Sequence, residues 1–276
     1  MEDVRSRNMG AIKLALTLWE SCVVPYMIYN SSTWLQMKDS DLEELNKLQT
    51  YFCNMILSVQ KCPAMLMIWD LGLISIPLRI LKEKLLLYHH ILCLPDSALV
   101  KKIMVTQEWL NLPSLKNEIS HFLAKFEVVD VKSFSKLKWK NLVRKKITEL
   151  NTEFLIEWSR RYKKLDYLSL SNEEFGLKEY FLVLDLDHAR LRFRERAQCL
   201  RTCKVQFPSN WKNIQMMFQC THCDEIDSGS SHWRTCSGYT FLRKDKDLDD
   251  LHQLITYYQE IIKRRDEKES EEKCVE

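Results

Sequence analysis

The chain has 276 residues, with 41 Lys and Arg against 38 Asp and Glu and a formal net charge of +3, so it is no polycation and any surface for a polyanion has to be local. Five Gly and six Pro are too few for a turn-rich sandwich or barrel, and a mostly α chain is predicted. No run of about twenty apolar residues offers a membrane helix, and no leader with charged and apolar regions opens the chain. A cytoplasmic or nuclear protein without a membrane partner is the expectation. Its ten cysteines then read as metal ligands or inert core thiols rather than disulfides.

The first predicted helix, Ala11 to Tyr29, is apolar at nearly every position, should be buried on most sides and should break at Pro25. Asp39 or Ser40 caps the next, in which Leu42, Leu45, Leu48, Gln49, Phe52, Ile56 and Val59 recur at helical spacing. Met65 to Leu73 is apolar, Gly72 gives a stop and Pro77 opens a helix running to Cys93. His89 and His90 sit on it. Adjacent helical positions diverge by about a hundred degrees, so one of these histidines is read as packed and the other as solvated. A helix follows Pro95 to about Trp109, and Pro113-Ser114 starts another through Lys125.

Lys132 to Lys146 contains Lys132, Lys136, Lys138, Lys140, Arg144, Lys145 and Lys146 without one acidic residue. Like charges so dense on a helix repel unless a polyanion is near, and a phosphate backbone is the natural partner. A solvated helix face whose apolar residues pack on the core is the alternative. The helix is predicted to run on to Arg160 and Arg161, a second basic cluster. Ser171 and Glu174 offer a capping box. Another helix begins near Asp185, where Arg190 with Arg194 and Arg192 with Arg196 make two guanidinium rows suited to bidentate phosphate contact.

Cys220 and Cys223 are followed by eight residues, then His232 and Cys236. A two-residue gap lets both thiolates of a tight turn face one ion, and the four residues can close around a structural Zn²⁺. Scattered buried or free cysteines are the competing reading. Trp211, Phe218 and Trp233 flank the ligands; packing suits Phe218, while Trp233 is the candidate for stacking on a base. Lys244 to Glu276 reads as a charged helix with Leu248, Leu251, Leu254, Ile255, Tyr258 and Ile262 along one side.

In chain order, Val24-Pro25-Tyr26-Met-Ile-Tyr29-Asn-Ser-Ser-Thr-Trp34, the Leu-rich helix, Asp70-Leu-Gly72-Leu, the arginine helix and the Cys-Cys-His-Cys unit resemble the carboxy-terminal part of non-LTR (LINE-type) retrotransposon reverse transcriptases. The resemblance implies a thumb-like helical bundle over 1–110, a basic helical linker over 111–205, a small zinc-knuckle-like unit over 206–240 and a charged tail over 241–276. It implies a piece that grips template RNA or target DNA beside the remainder of a reverse transcriptase polyprotein. That family usually has four residues between His and the last Cys; this chain has three, and His222 or Cys203 is the substitute ligand should Cys236 not reach.

No polymerase chemistry is expected. Polymerase chemistry uses two metal ions held by carboxylates, and the resemblance implies that the key pair sits in an aromatic-x-Asp-Asp turn between strands, whereas Asp247-Leu-Asp249-Asp250 reads as part of the tail helix and Asp185-Leu-Asp187 as a helix start. No Gly-rich phosphate loop, no Gly-x-Ser-x-Gly elbow and no small-molecule substrate site is evident. A helical interaction module stapled by zinc, binding a partner through the tail helix, is the alternative function. A decayed element fragment is the third reading, because Met1 precedes the thumb-like helix by only ten residues.

Overall fold

The computed structural model describes residues 10–59, 62–161, 170–200, 220, 222–223, 225 and 230–273, with side chains as far as 267 apart from those of 230 and 231. The chain is mostly α. Its helices are α1 (Ala11–Leu18), α2 (Val24–Met27), α3 (Asp39–Leu57), α4 (Ala64–Asp70), α5 (Ile76–Cys93), α6 (Leu99–Trp109), α7 (Leu115–Lys125), α8 (Lys136–Arg161), α9 (Tyr180–Val183), α10 (Leu186–Arg196), α11 (Ser230–Thr235), α12 (Thr240–Arg243) and α13 (Leu251–Lys273). Leu71 and Leu177 form an isolated antiparallel bridge.

Pro25 does not break the first helix. The wide turn Trp19–Val23 carries the backbone from α1 into α2, with Val24 N–H reaching back to Trp19 O, and Pro25 falls in the first turn of α2. A proline's missing N–H is tolerated there. The expected burial on most sides also fails, since Leu14, Leu18, Val23, Tyr26 and Tyr29 are exposed. Elsewhere the stop and start chemistry works as read. Ser114 accepts from Asn117 N–H at 3.3 Å to cap α7, Asp185 accepts from His188 N–H at 3.0 Å to cap α10, and Pro77 sits in the first turn of α5. Ser171 opens no α-helix: Leu170–Asn172 is a single 3-10 turn, and the next helix waits until Tyr180.

The chain divides into two compact units that interleave along the sequence rather than into consecutive blocks. Leu14–Cys53 with Ala64–Leu177 make one; Met1–Lys13, Asn54–Pro63 and Lys178–Glu276 make the other. The interleaving has a local cause within the second unit, because the end of α3 and the turn after it serve as acceptors for α10.

In the first unit α5 packs against α7 and α8 around Leu85, Ile119, Trp139, Val143 and Ile147. Trp139 Nε1 donates to Leu85 O at 3.0 Å. His89 is buried, with its ring stacked at 5.6 Å on Trp139 and Nε2 2.9 Å from Phe134 O, while His90 is exposed. The irregular Gly72 to Ser75 segment is tied down by side chains. Asn151 donates to Leu73 O at 3.2 Å and accepts from Ser75 N–H at 3.1 Å, while Gln49 and Arg79 both donate to Ile74 O. Gly72 has φ +65°, and a Cβ there would stand 2.6 Å from Leu177 N, so both conformation and space require glycine.

In the second unit α13 lays Leu254, Ile255, Tyr258 and Ile261 inward, and Tyr257 is buried as well. The helix starts at Leu251, not Lys244, because Asp250 Oδ1 accepts from Gln253 N–H at 2.9 Å and sets its first turn. Asp247 and Asp249 therefore lie in the turn before the helix, where Asp249 N–H donates to Asp247 Oδ1 at 3.0 Å.

Candidate metal centre and candidate nucleic-acid face

Cys220, Cys223, His232 and Cys236 come together, with one ligand atom from each and all four atoms within 4.8 Å of one another. Their arrangement can hold a metal ion. Cys220 Sγ and Cys236 Sγ are 3.7 Å apart, Cys223 Sγ and Cys236 Sγ 3.4 Å, and Cys223 Sγ and His232 Nε2 3.5 Å. Around one tetrahedral ion, thiolates at about 2.3 Å and an imidazole at about 2.0 Å stand roughly 3.5–3.8 Å from one another. The sulfurs are too far apart for a disulfide, whose S–S bond is about 2.05 Å.

Local structure explains the spacing. His232 lies on α11 and Cys236 directly follows it, with Cys236 N–H donating to His232 O at 2.7 Å. A three-residue gap on one helical turn puts both side chains on one side. Cys220 N–H donates to Glu225 O at 2.8 Å and closes the turn that carries the first two cysteines. Cys220, His232 and Cys236 are buried. Burial pushes the Cys236 thiol up to about 12, so a bound cation is what would make it a thiolate. Of the two substitute ligands, His222 does not enter. His222 Nδ1 pairs with Tyr239 OH at 3.2 Å, and Cys203, like Trp211 and Phe218, lies outside the described residues.

Three supports hold this cluster that the sequence pattern did not signal. A Cβ on Gly238 would stand 2.2 Å from His222 O, so only glycine lets the two turns meet. Arg234, between His232 and Cys236, donates from Nη2 to Glu195 Oε1 and from Nε to Tyr258 OH, each at 3.0 Å. Tyr257 OH donates to Trp233 O. Burial opposes the Arg234 charge, but Tyr258 and Glu195 outweigh it and hold its pKa above the usual value.

Trp233 is 0% exposed, with Arg265 over its ring at 5.1 Å, so the expectation that it stacks on a base is corrected. Its indole is the core that the small metal turn lacks. The arginine helix is corrected too. Arg190 Nε donates to Ile56 O at 2.9 Å, Arg194 donates to Ser58 O at 2.6 Å, Arg192 pairs with Glu195, and Arg196 is engaged within the molecule. Leu191, Phe193 and Glu195 between them are buried, so the helix is covered on more than one side and Arg190, Arg192 and Arg194 meet acceptors of their own unit.

The lysine helix differs. Lys136, Lys138, Lys140, Arg144 and Lys145 on α8 are exposed while Trp139, Val143 and Ile147 hold the core. Lys136, Lys140 and Arg144 share one row at four-residue steps. Among the described residues no carboxylate pairs with Lys136, Lys138, Lys140 or Arg144 within 4.0 Å. Lys145 and Lys146 share Glu149 at 3.9 and 3.0 Å, and Arg161 pairs with Glu157, whereas Arg160 is exposed. None of the described helices is long and apolar enough to cross a membrane. Comparison with protein-family models, with curated proteins and with solved structures finds no match to this chain.

Proposed function

We propose that the chain is a nucleic-acid-binding module in which α8 takes the phosphate backbone and a Cys₃His zinc clip holds the second unit together. The observation that carries this reading is the row Lys136, Lys140 and Arg144, with Lys138 beside it, exposed and without a carboxylate partner among the described residues. Four unpaired cations on one helix gain most from a partner that releases counterions. Such contacts position a strand without reading its sequence. The ordered resemblance to the carboxy-terminal part of LINE-type reverse transcriptases agrees with this role, as a piece working beside a polymerase core elsewhere.

Zinc is the metal that best suits three thiolates and one imidazole in a closed site. When bound it would neutralise the buried thiolates and cross-link the two turns. All four positions are filled by protein, so the clip leaves no opening for a reacting water. The tail helix no longer motivates a separate interaction module, because its apolar side is covered by its own unit.

The test is the salt dependence of binding to duplex DNA or RNA. Neutralising Lys136, Lys138, Lys140 and Arg144 to Gln lowers the slope of log Kd against log salt by about one for each phosphate that no longer meets a cation. A wild-type chain that binds no nucleic acid, or a variant with unchanged slope, contradicts the reading.

A further inference from the structure

At its start the lysine row borders a cavity of ≈ 370 Å³ between α5 and the first turns of α8. That volume is at the small end of ligand pockets, about 300–1,000 Å³. Leu86, Phe134 and Trp139 supply apolar wall, while the exposed Lys136, Lys140 and His90 supply a polar rim. Among the described residues no carboxylate lines it. His89 beneath is already committed to Phe134 O and to the Trp139 ring. Apolar walls under a rim of cations fit a flat, weakly polar ring that carries a phosphate.

We infer that the cavity receives one unpaired nucleotide of a bound strand, with its base against the apolar wall and its phosphate on Lys136 and Lys140. The inference rests on the nucleic-acid reading of α8 and adds a preference: a strand with unpaired bases uses both cavity and row, a closed duplex only the row. Bases bound through their π faces are taken with little regard to sequence.

The test uses the full chain, a mixed-sequence DNA strand of about 12 nucleotides and the same strand annealed to its complement. Cys93 is exposed and lines the cavity, so Cys93→Trp fills it without changing charge. The filled variant weakens strand binding by about 5- to 150-fold, the worth of one stacked base, and leaves duplex affinity and salt slope unchanged. Strand affinity within about twofold of wild type, in a variant with native circular dichroism, overturns the inference and leaves the nucleic-acid reading standing. A wild-type chain that binds neither strand nor duplex ends both. A second measurement avoids substitution. Saturating strand protects Cys93 of the wild-type chain from alkylation while exposed Cys22 stays reactive; equal reactivity with and without strand overturns the inference.

Discussion

The Arg234 guanidinium donates to the Glu195 carboxylate at 3.0 Å across 39 positions of sequence, and Tyr258 OH lies 3.3 Å from the same oxygen. This one carboxylate joins α10, α11 and α13. Arg192 holds its other oxygen. Glu195 is buried, whereas the side chains of Arg192 and Arg234 keep 25% and 37% of their surface, so removing it unpairs two guanidinium groups that water still reaches. Glu195→Ala is expected to destabilise the second unit by about 2 kcal/mol. Glu195→Gln, which keeps the shape and an acceptor, costs about half as much. Urea unfolding followed by far-ultraviolet circular dichroism together with intrinsic tryptophan fluorescence measures both.

Gly238→Ala tests the close approach beside the cluster. The added methyl would stand 2.2 Å from His222 O and 2.6 Å from its Cβ, so backbone has to move. Displacing a support of a metal site typically costs about 10- to 100-fold in affinity. Competition with a chromogenic chelator should show about that loss of zinc affinity, and unaltered affinity would separate Gly238 from the site.

Asn151 is 0% exposed and satisfies one carbonyl and one N–H of the Gly72 to Ser75 segment. Asn151→Leu keeps the volume but leaves both backbone groups unpaired, at about 1–3 kcal/mol each. A thermal midpoint lowered by several degrees is expected. An unchanged midpoint would show that the segment finds other partners.

Alkaline stability follows from the buried acids. Burial pushes Cys53 from 9.0 up to about 12, and burial also raises Tyr88, Tyr257 and Tyr258. For each, the folded state holds the proton more tightly than the unfolded chain. The contribution is fully present below the unfolded value and is lost as pH rises toward the folded one. Urea midpoints should therefore hold steady to about pH 9 and fall above it. A midpoint that rises over that range would contradict the burial of these groups.

The helices were legible because caps and breakers act locally: Ser114, Asp185 and Pro77 do in the fold what their chemistry dictates. The Cys₃His cluster was legible for the same reason, since two short gaps fix which side chains can meet. Pro25 misled because a wide turn absorbs its missing N–H, which no residue type announces. The arginines and Trp233 misled because charge and ring area suggest a ligand equally well when the partner is internal. Glu195 and Ile56 are far from their partners in sequence, and periodicity carries no information about such pairings. What separated the lysine row from the arginine helix was therefore partnership, visible only once the chain is folded.

Native mass spectrometry of the full chain, before and after a strong chelator, is the most direct measurement of the metal clip. The account predicts one zinc per chain as purified, and its removal with unfolding of the 220–267 region, since structural zinc supplies on the order of 10 kcal/mol to such a unit. A chain that is metal-free as purified and resists proteolysis there equally with and without zinc would contradict it.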